Sequence, residues 1–223
     1  MIPLRDDQPR FSTPFINYFL IAINVIVFLW ELSVGHRALN GFMLEFGVVP
    51  HNVLAPVLGH SQGIAASILP LFTSMFLHEG FWHVASNMLY LWIFGDNVED
   101  YLGHFTYLLM YLASGVIGGM THVLLNFNSN MPTIGASGAI AGVMGAYFIL
   151  YPKARVLTWW IIIVLWLPAW LVLGQWFLVQ FLFTSQVAAS GVAVWAHLGG
   201  FAAGVILIKV LPERPHRYRY GTW

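Results

Sequence analysis

The sequence predicts an all-α fold, a polytopic membrane protein built as a bundle of six transmembrane helices. Three observations lead there. Hydrophobic residues make up 59% of the 223 positions and charged residues only 8%, where soluble domains carry about 25% charge. Mean hydropathy is +0.74. Several runs also approach the twenty or so apolar residues needed to cross a hydrocarbon core of about 30 Å.

The first run, residues 15–34, is too long for a signal peptide and lacks a small-residue cleavage site after it, so it reads as a retained span. Residues 36–80 are broken by Pro50, Pro56, Gly59, Gly63 and Pro70, and no single helix can cross there. Phe42, Leu44, Phe46, Val48 and Val49 are too apolar for a solvated coil, which points to a structured loop lying in the interface. Spans two to four cover residues 81–98, 103–125 and 134–151. The apolar run 156–183 holds Pro168 in its interior. Proline fits the first turn of a helix, so span five starts near Pro168 and residues 156–167 lie along the membrane surface, with Trp159, Trp160 and Trp166 at interfacial depth. Span six covers residues 192–211. The organisation is thus a short cytoplasmic tail (1–14), a six-span domain (15–211) and a basic cytoplasmic tail (212–223), neither tail being long enough for an extra cytosolic domain.

Six spans put both termini and the loops after spans two and four on one side. That side holds Arg5, Arg10, Lys153, Arg155, Lys209, Arg214, Arg217 and Arg219, and only Arg37 lies opposite. The positive-inside rule makes the basic side cytoplasmic. Nine basic and nine acidic residues cancel, so no basic surface is left over for nucleic acid. Cysteine is absent, which removes disulfides and thiolate chemistry. Chemistry must come from Ser, His, Asn or carboxylates, with no cofactor implied.

With this topology spans two, four and six all enter from the outer face. His83 and Asn87, Ser137 and His197 then lie at one depth on three helices, and polar groups inside a bundle mark function by default. His197, Gly200 and Gly204 fall within about 60° of one another on a helical wheel, which places a glycine groove beneath the histidine. Ala141, one turn below Ser137, is expected to press span four against that groove, with Gly135, Gly138, Gly142 and Gly145 on a face to one side. A serine hydroxyl needs a base within about 3 Å, and His197 can supply it. Residues 131–211 contain no Asp or Glu, so those spans offer a dyad and no carboxylate third member. Packing or an aromatic neighbour would have to orient the imidazole. His83 and Asn87, spaced i,i+4, share a helix face, and the Ser137 N–H sits at a helix start; these are the candidate donors to an oxyanion.

Two rival motifs fail on spacing. His78-Glu79-x-x-x-His83 has one residue more than the zinc-protease His-Glu-x-x-His, which turns the histidines about 140° apart, and no metal site is expected. Gly135-Ala136-Ser137-Gly138 has Ala139 where the hydrolase elbow Gly-x-Ser-x-Gly needs glycine. His36, His51, His60, His104, His122 and His216 fall in loops or near span ends and read as solvated.

Taken together, Gly135-Ala-Ser-Gly138, His197-Leu-Gly-Gly200 continuing to Gly204, and His83-Val-Ala-Ser-Asn87 resemble the rhomboid family of intramembrane serine proteases. Phe46-Gly-Val-Val-Pro50, Gly95-Asp-Asn-Val-Glu-Asp100 and the stretch from Pro168 to Trp176 are similar to bacterial members of the six-span type, which implies a bacterial cytoplasmic membrane and an active site opening to the outer face. The resemblance implies Ser137 as nucleophile, His197 as base, His83 and Asn87 as oxyanion-side donors, and cleavage of transmembrane segments of membrane-protein substrates. It also implies that span five and residues 184–193 gate substrate entry. The adjacent Trp-Arg pair of many rhomboids is missing from the first loop, and the usual Gly-Arg-x-Arg start of span three reads Gly103-His104-Phe105-Thr106. The alternatives are a catalytically silent rhomboid-like protein that binds membrane clients and a small transporter. The first would lack Ser or His, and the second would show inverted repeats or ionisable midplane residues.

Overall fold

A computed structural model describes residues 1–54, 63, 67–182 and 193–214, without the side chain of His36. Helix α1 covers Phe15–Ser33. Shorter helices follow at α2 (His36–Phe46), α3 (Pro50–Leu54) and α4 (Pro70–Thr73), the last continuing as a 3-10 turn over Ser74–Phe76. The long helices are α5 (Phe81–Leu102), α6 (His104–Leu125), α7 (Ser137–Leu150), α8 (Ala169–Leu182) and α9 (Val194–Val210). Helix α7 is the centre of the bundle: Ala139, Ala141, Val143, Ala146 and Tyr147 are fully enclosed by α5, α6, α8 and α9.

Two of these helices, α1 and α6, are long and apolar enough to cross a membrane by length and composition alone. Helix α5 has 22 residues but carries Asp96, Glu99 and Asp100 in its last turns. Helices α7, α8 and α9 are apolar but shorter, at 14, 14 and 17 residues.

The all-α expectation needs correcting at one place. Strands β1 (Ile2–Asp6), β2 (Arg155–Trp160) and β3 (Ile163–Pro168) form an antiparallel sheet in the order β1-β2-β3. Ile2 pairs with Trp159 and Asp6 with Val156, and β2 returns as β3 with Arg155 opposite Pro168. The segments Arg-Val-Leu-Thr-Trp-Trp and Ile-Val-Leu-Trp-Leu-Pro are β-branched and aromatic, the types that fit a pleated surface. What length and hydropathy register as half of a long apolar run is therefore a hairpin. Its turn holds Ile161 at φ 59°, a strained conformation for a β-branched residue, and Ile161 and Ile162 are 79% and 87% exposed.

The first turn of α1 follows Pro14 and has no local side-chain cap. Glu99, buried on α5, accepts the backbone N–H groups of Ile16 and Asn17 at 3.0 and 2.7 Å. A carboxylate there satisfies orphan donors and meets the positive end of the helix dipole. His104 donates its Nδ1–H to the same Glu99, and Asp100 accepts from Ser12 Oγ and the Phe11 N–H. The stretch Gly95–Asp100 is thus the clamp that seats the N-terminus of α1. Gly95 itself has no room for a side chain, since a Cβ would fall 2.1 Å from Asn17 Oδ1.

The loop before α5 is structured. Val48 and Val49 are buried, and Val48 exchanges two backbone hydrogen bonds with Thr133 at 2.9 and 2.8 Å, tying the first loop to the entry of α7. His104 and His122 are not simply solvated: the first bonds Glu99, and His122 Nε2 lies 3.0 Å from Thr133 Oγ1. His60, His216 and residues 184–192 lie outside the described residues.

Candidate active site

Ser137 is the first residue of α7 and His197 the fourth of α9. Their side chains meet: Ser137 Oγ lies 2.7 Å from His197 Nε2. The contact depends on how closely the two helices approach. A Cβ on Gly200 would fall 2.0 Å from the Gly138 carbonyl oxygen, and one on Gly204 1.8 Å from that of Gly142. Backbone therefore lies on backbone for two turns below the dyad. The face of α7 that does this includes Gly138, Gly142 and Gly145, and Ala141, one turn below Ser137, is fully buried. The close approach at Gly138–Gly200 and Gly142–Gly204 runs where neither helix carries a Cβ. Gly118 of α6 closes the other side, a Cβ there falling 2.5 Å from the Ala196 carbonyl oxygen.

The dyad opens into a cavity of about 420 Å³ whose wall includes His83, Asn87, Ser137, Trp176 and His197. His83, from the first turn of α5, sits against the loop into α7: a Cβ at Gly135 would fall 2.7 Å from its Nε2. Gly135 has φ +123°, a conformation only glycine adopts freely, so the chain passes between the His83 ring and Ser137 because residue 135 has no side chain. The Gly135 N–H is held by the Ser74 carbonyl at 2.8 Å. Asn87 also lines the cavity but does not point only into it: its Nδ2 donates to His78 Nε2 at 3.0 Å. An amide nitrogen carries two hydrogens, so one donor remains for the cavity. The backbone N–H of His78 donates in turn to Glu31 of α1, at 3.2 and 3.3 Å to its two oxygens. Among the described residues, no three His, Cys, Asp or Glu side chains gather as a metal-ligand set.

All four sequence-derived residues are thus brought to one cavity. Sequence reasoning called for packing or an aromatic neighbour to orient His197 but did not identify the residues that support the site. His197 has Trp176 against its ring, with centroids 5.7 Å apart, and Gln180 Oε1 3.3 Å from its Nδ1, both from α8. Two signals were available. Gln180 is a polar residue in an apolar run, and Glu31 is the acid of the first span; both fall under the rule that intramembrane polar groups mark function. His78 could be found only through its partners.

The comparisons with known proteins agree with the motifs. The sequence profile of the rhomboid domain matches residues 65–214. Rhomboid protein 1, mitochondrial, of Saccharomyces cerevisiae is 32% identical over 201 residues, covering 85% of this chain and 51% of that protein. The rhomboid protease GluP of Bacillus subtilis is 34% identical over 134 residues, 60% of this chain and 24% of the relative. RHOMBOID-like protein 1 of Arabidopsis thaliana is 35% identical over 154 residues, 68% of this chain and 36% of the relative. The chain therefore spans about half the length of the first of these relatives and less of the others. A yeast mitochondrial protein and a plant protein stand beside the bacterial one, so the specifically bacterial character suggested by the loop motifs is not borne out.

Proposed function

Since this chain belongs to the membrane-embedded rhomboid family, we propose that it is a serine endopeptidase that cleaves transmembrane segments of other proteins inside the bilayer. One observation carries the reading: a serine at a helix start and a histidine on a neighbouring helix, 2.7 Å apart, at the wall of a cavity.

In this reading Ser137 Oγ attacks the scissile carbonyl while its proton passes to His197 Nε2. The imidazolium then protonates the leaving amine, and a water entering the cavity repeats the cycle to release the acyl group. His83, the remaining Asn87 amide hydrogen and the Ser137 N–H are the donors offered to the oxyanion, and their worth lies in being fixed before charge develops. The packing of α7 on α9 is what keeps the dyad within proton-transfer distance.

The six-span arrangement belongs to this proposal. Helices α1 and α6 cross on length alone, α5 is long enough, and the shorter α7 and α9 begin at the depth of the cavity. Six of the seven described basic residues, Arg5, Arg10, Lys153, Arg155, Lys209 and Arg214, lie in the N-terminal segment or at or beyond the far ends of α7 and α9 from Ser137 and His197, with Arg37 of α2 the exception. The positive-inside rule therefore supports a cytoplasmic location for that end and a site open to the outer face. Residues 15–211 would then be the protease domain.

The test is incubation of the purified full chain with a panel of transmembrane-segment substrates, wild type beside Ser137→Ala. Cleavage by the wild type alone, with loss of 10³-fold or more in the variant, is expected. Binding of the segments without cleavage by either protein would overturn the reading in favour of a silent client-binding relative.

A further inference from the structure

A neutral histidine can act as general base toward Ser137 only in one tautomer. Nε2 must be bare to take the proton, so Nδ1 must carry the hydrogen, and His197 is 92% removed from solvent. A buried N–H without an acceptor is costly, and a ring with no partner at Nδ1 would relax toward the other tautomer, with Nε2–H donating to Ser137 Oγ. Something must hold Nδ1–H. No carboxylate exists within residues 131–211.

We propose that Gln180 is the third member of the site, a positioning residue whose Oε1 accepts the Nδ1–H of His197 and fixes the imidazole in its base-competent tautomer. The oxygen lies 3.3 Å from Nδ1. Chemistry requires the same assignment of the amide: with Nδ1 as donor, the atom facing it must be the carbonyl oxygen. Trp176 gives independent support. It stands one helical turn before Gln180 on α8, at the i,i+4 spacing that puts two side chains on one face, and its ring packs on the same imidazole at 5.7 Å between centroids. One face of α8 thus contributes a plane against the ring and an acceptor at its edge. Together they restrain rotation and tautomer. Gln180 takes no proton at any stage: the Ser137 proton moves to Nε2, and Nδ1–H stays donated to the amide before and after, so the imidazolium is also hydrogen-bonded.

The inference rests on the protease reading, and the experiment separates the two. The full chain is prepared as wild type, Gln180→Met (similar in volume, without an oxygen), Gln180→Glu (oxygen acceptor retained) and Ser137→Ala. Kinetics with a transmembrane-segment substrate should show Gln180→Met losing roughly 10- to 10²-fold in kcat with KM little changed, and Gln180→Glu recovering most of that loss. In parallel, histidine with 15N-labelled ring nitrogens, assigned against His197→Ala, reports the tautomer without needing turnover. The wild type and Gln180→Glu should show a protonated Nδ1 and bare Nε2, and Gln180→Met a shift toward protonated Nε2. A wild-type tautomer and wild-type kcat in Gln180→Met would overturn the role of Gln180. A wild type that cleaves nothing, or Ser137→Ala cleaving as well as wild type, would overturn the protease reading, while the nitrogen signals would still decide on Gln180.

Discussion

Adding one methyl group at Gly204 should both loosen the bundle and disable the dyad. In Gly204→Ala the new Cβ would lie 1.8 Å from the Gly142 carbonyl oxygen and 2.6 Å from its carbon. Both are backbone atoms, so no side chain can rotate away, and ordinary van der Waals contact requires α7 and α9 to part by roughly 1.5 Å at that level. Overpacking of this kind costs about 1–3 kcal/mol, which for a chain of this size lowers Tm by roughly 3–10 °C. The dyad sits about two turns above. If even about 1 Å of the separation reaches it, the 2.7 Å Ser137–His197 bond is broken, and a misplacement of that size costs about 10²-fold in rate. Thermal unfolding in detergent and turnover of a transmembrane-segment substrate measure the two effects. Gly174→Ala is the control, because the nearest atom to a Cβ there is a Phe148 ring carbon at 3.9 Å, and it should leave both values unchanged. A Gly204→Ala protein with wild-type Tm and wild-type kcat would refute the argument that backbone contact sets the dyad distance.

Three further outcomes are expected. Asn87→Ala removes a donor from the cavity and the partner of His78 Nε2, so kcat should fall roughly 10- to 10³-fold, and an effect confined to KM would withdraw the oxyanion role. Glu99→Leu leaves the first-turn N–H groups of Ile16 and Asn17 unpaired and strips His104 of its acceptor. It should destabilise the protein by about 2–4 kcal/mol, and an unchanged Tm would show that the clamp on α1 is dispensable. Burial pushes the Asp6 carboxyl up from 3.8 to about 6, against the lowering effect of the Tyr147 hydroxyl bonded to it. Between those values the folded state holds a proton that the unfolded chain has released, so stability falls as pH rises from about 4 to about 6 and stays lower above it. Two units correspond to about 3 kcal/mol, reduced to roughly 1–2 kcal/mol because Asp6 is only half-buried. Asp6→Asn keeps an acceptor for Tyr147 and cannot ionise; its Tm should exceed wild type at pH 8 and match it near pH 4, and parallel profiles would contradict this.

The sequence by itself determined the features that are local or periodic. Apolar runs of helical length mark α1, α5, α6, α7 and α9 because burying a helix in lipid or in a bundle demands them along one continuous stretch. The positions of Ser137, His197, His83 and Asn87 were legible because each sits a fixed number of residues from a helix start, and a common entry face turns that count into a common depth. Only the tertiary structure decided what depends on pairing between distant segments. The apolar run after Lys153 is a hairpin because the N-terminal strand supplies β1, and hydropathy cannot register a partner some 150 residues away. The face of α7 that meets α9 includes Gly138, Gly142 and Gly145, brought there by the mutual approach of two backbones, which helical angles within one segment cannot specify. Glu99 caps a helix in another part of the chain, and Gln180 meets His197 from α8. Hydrogen bonds of this kind join groups whose separation along the chain says nothing about their separation in space, so their residue types were visible in the sequence and their partners were not.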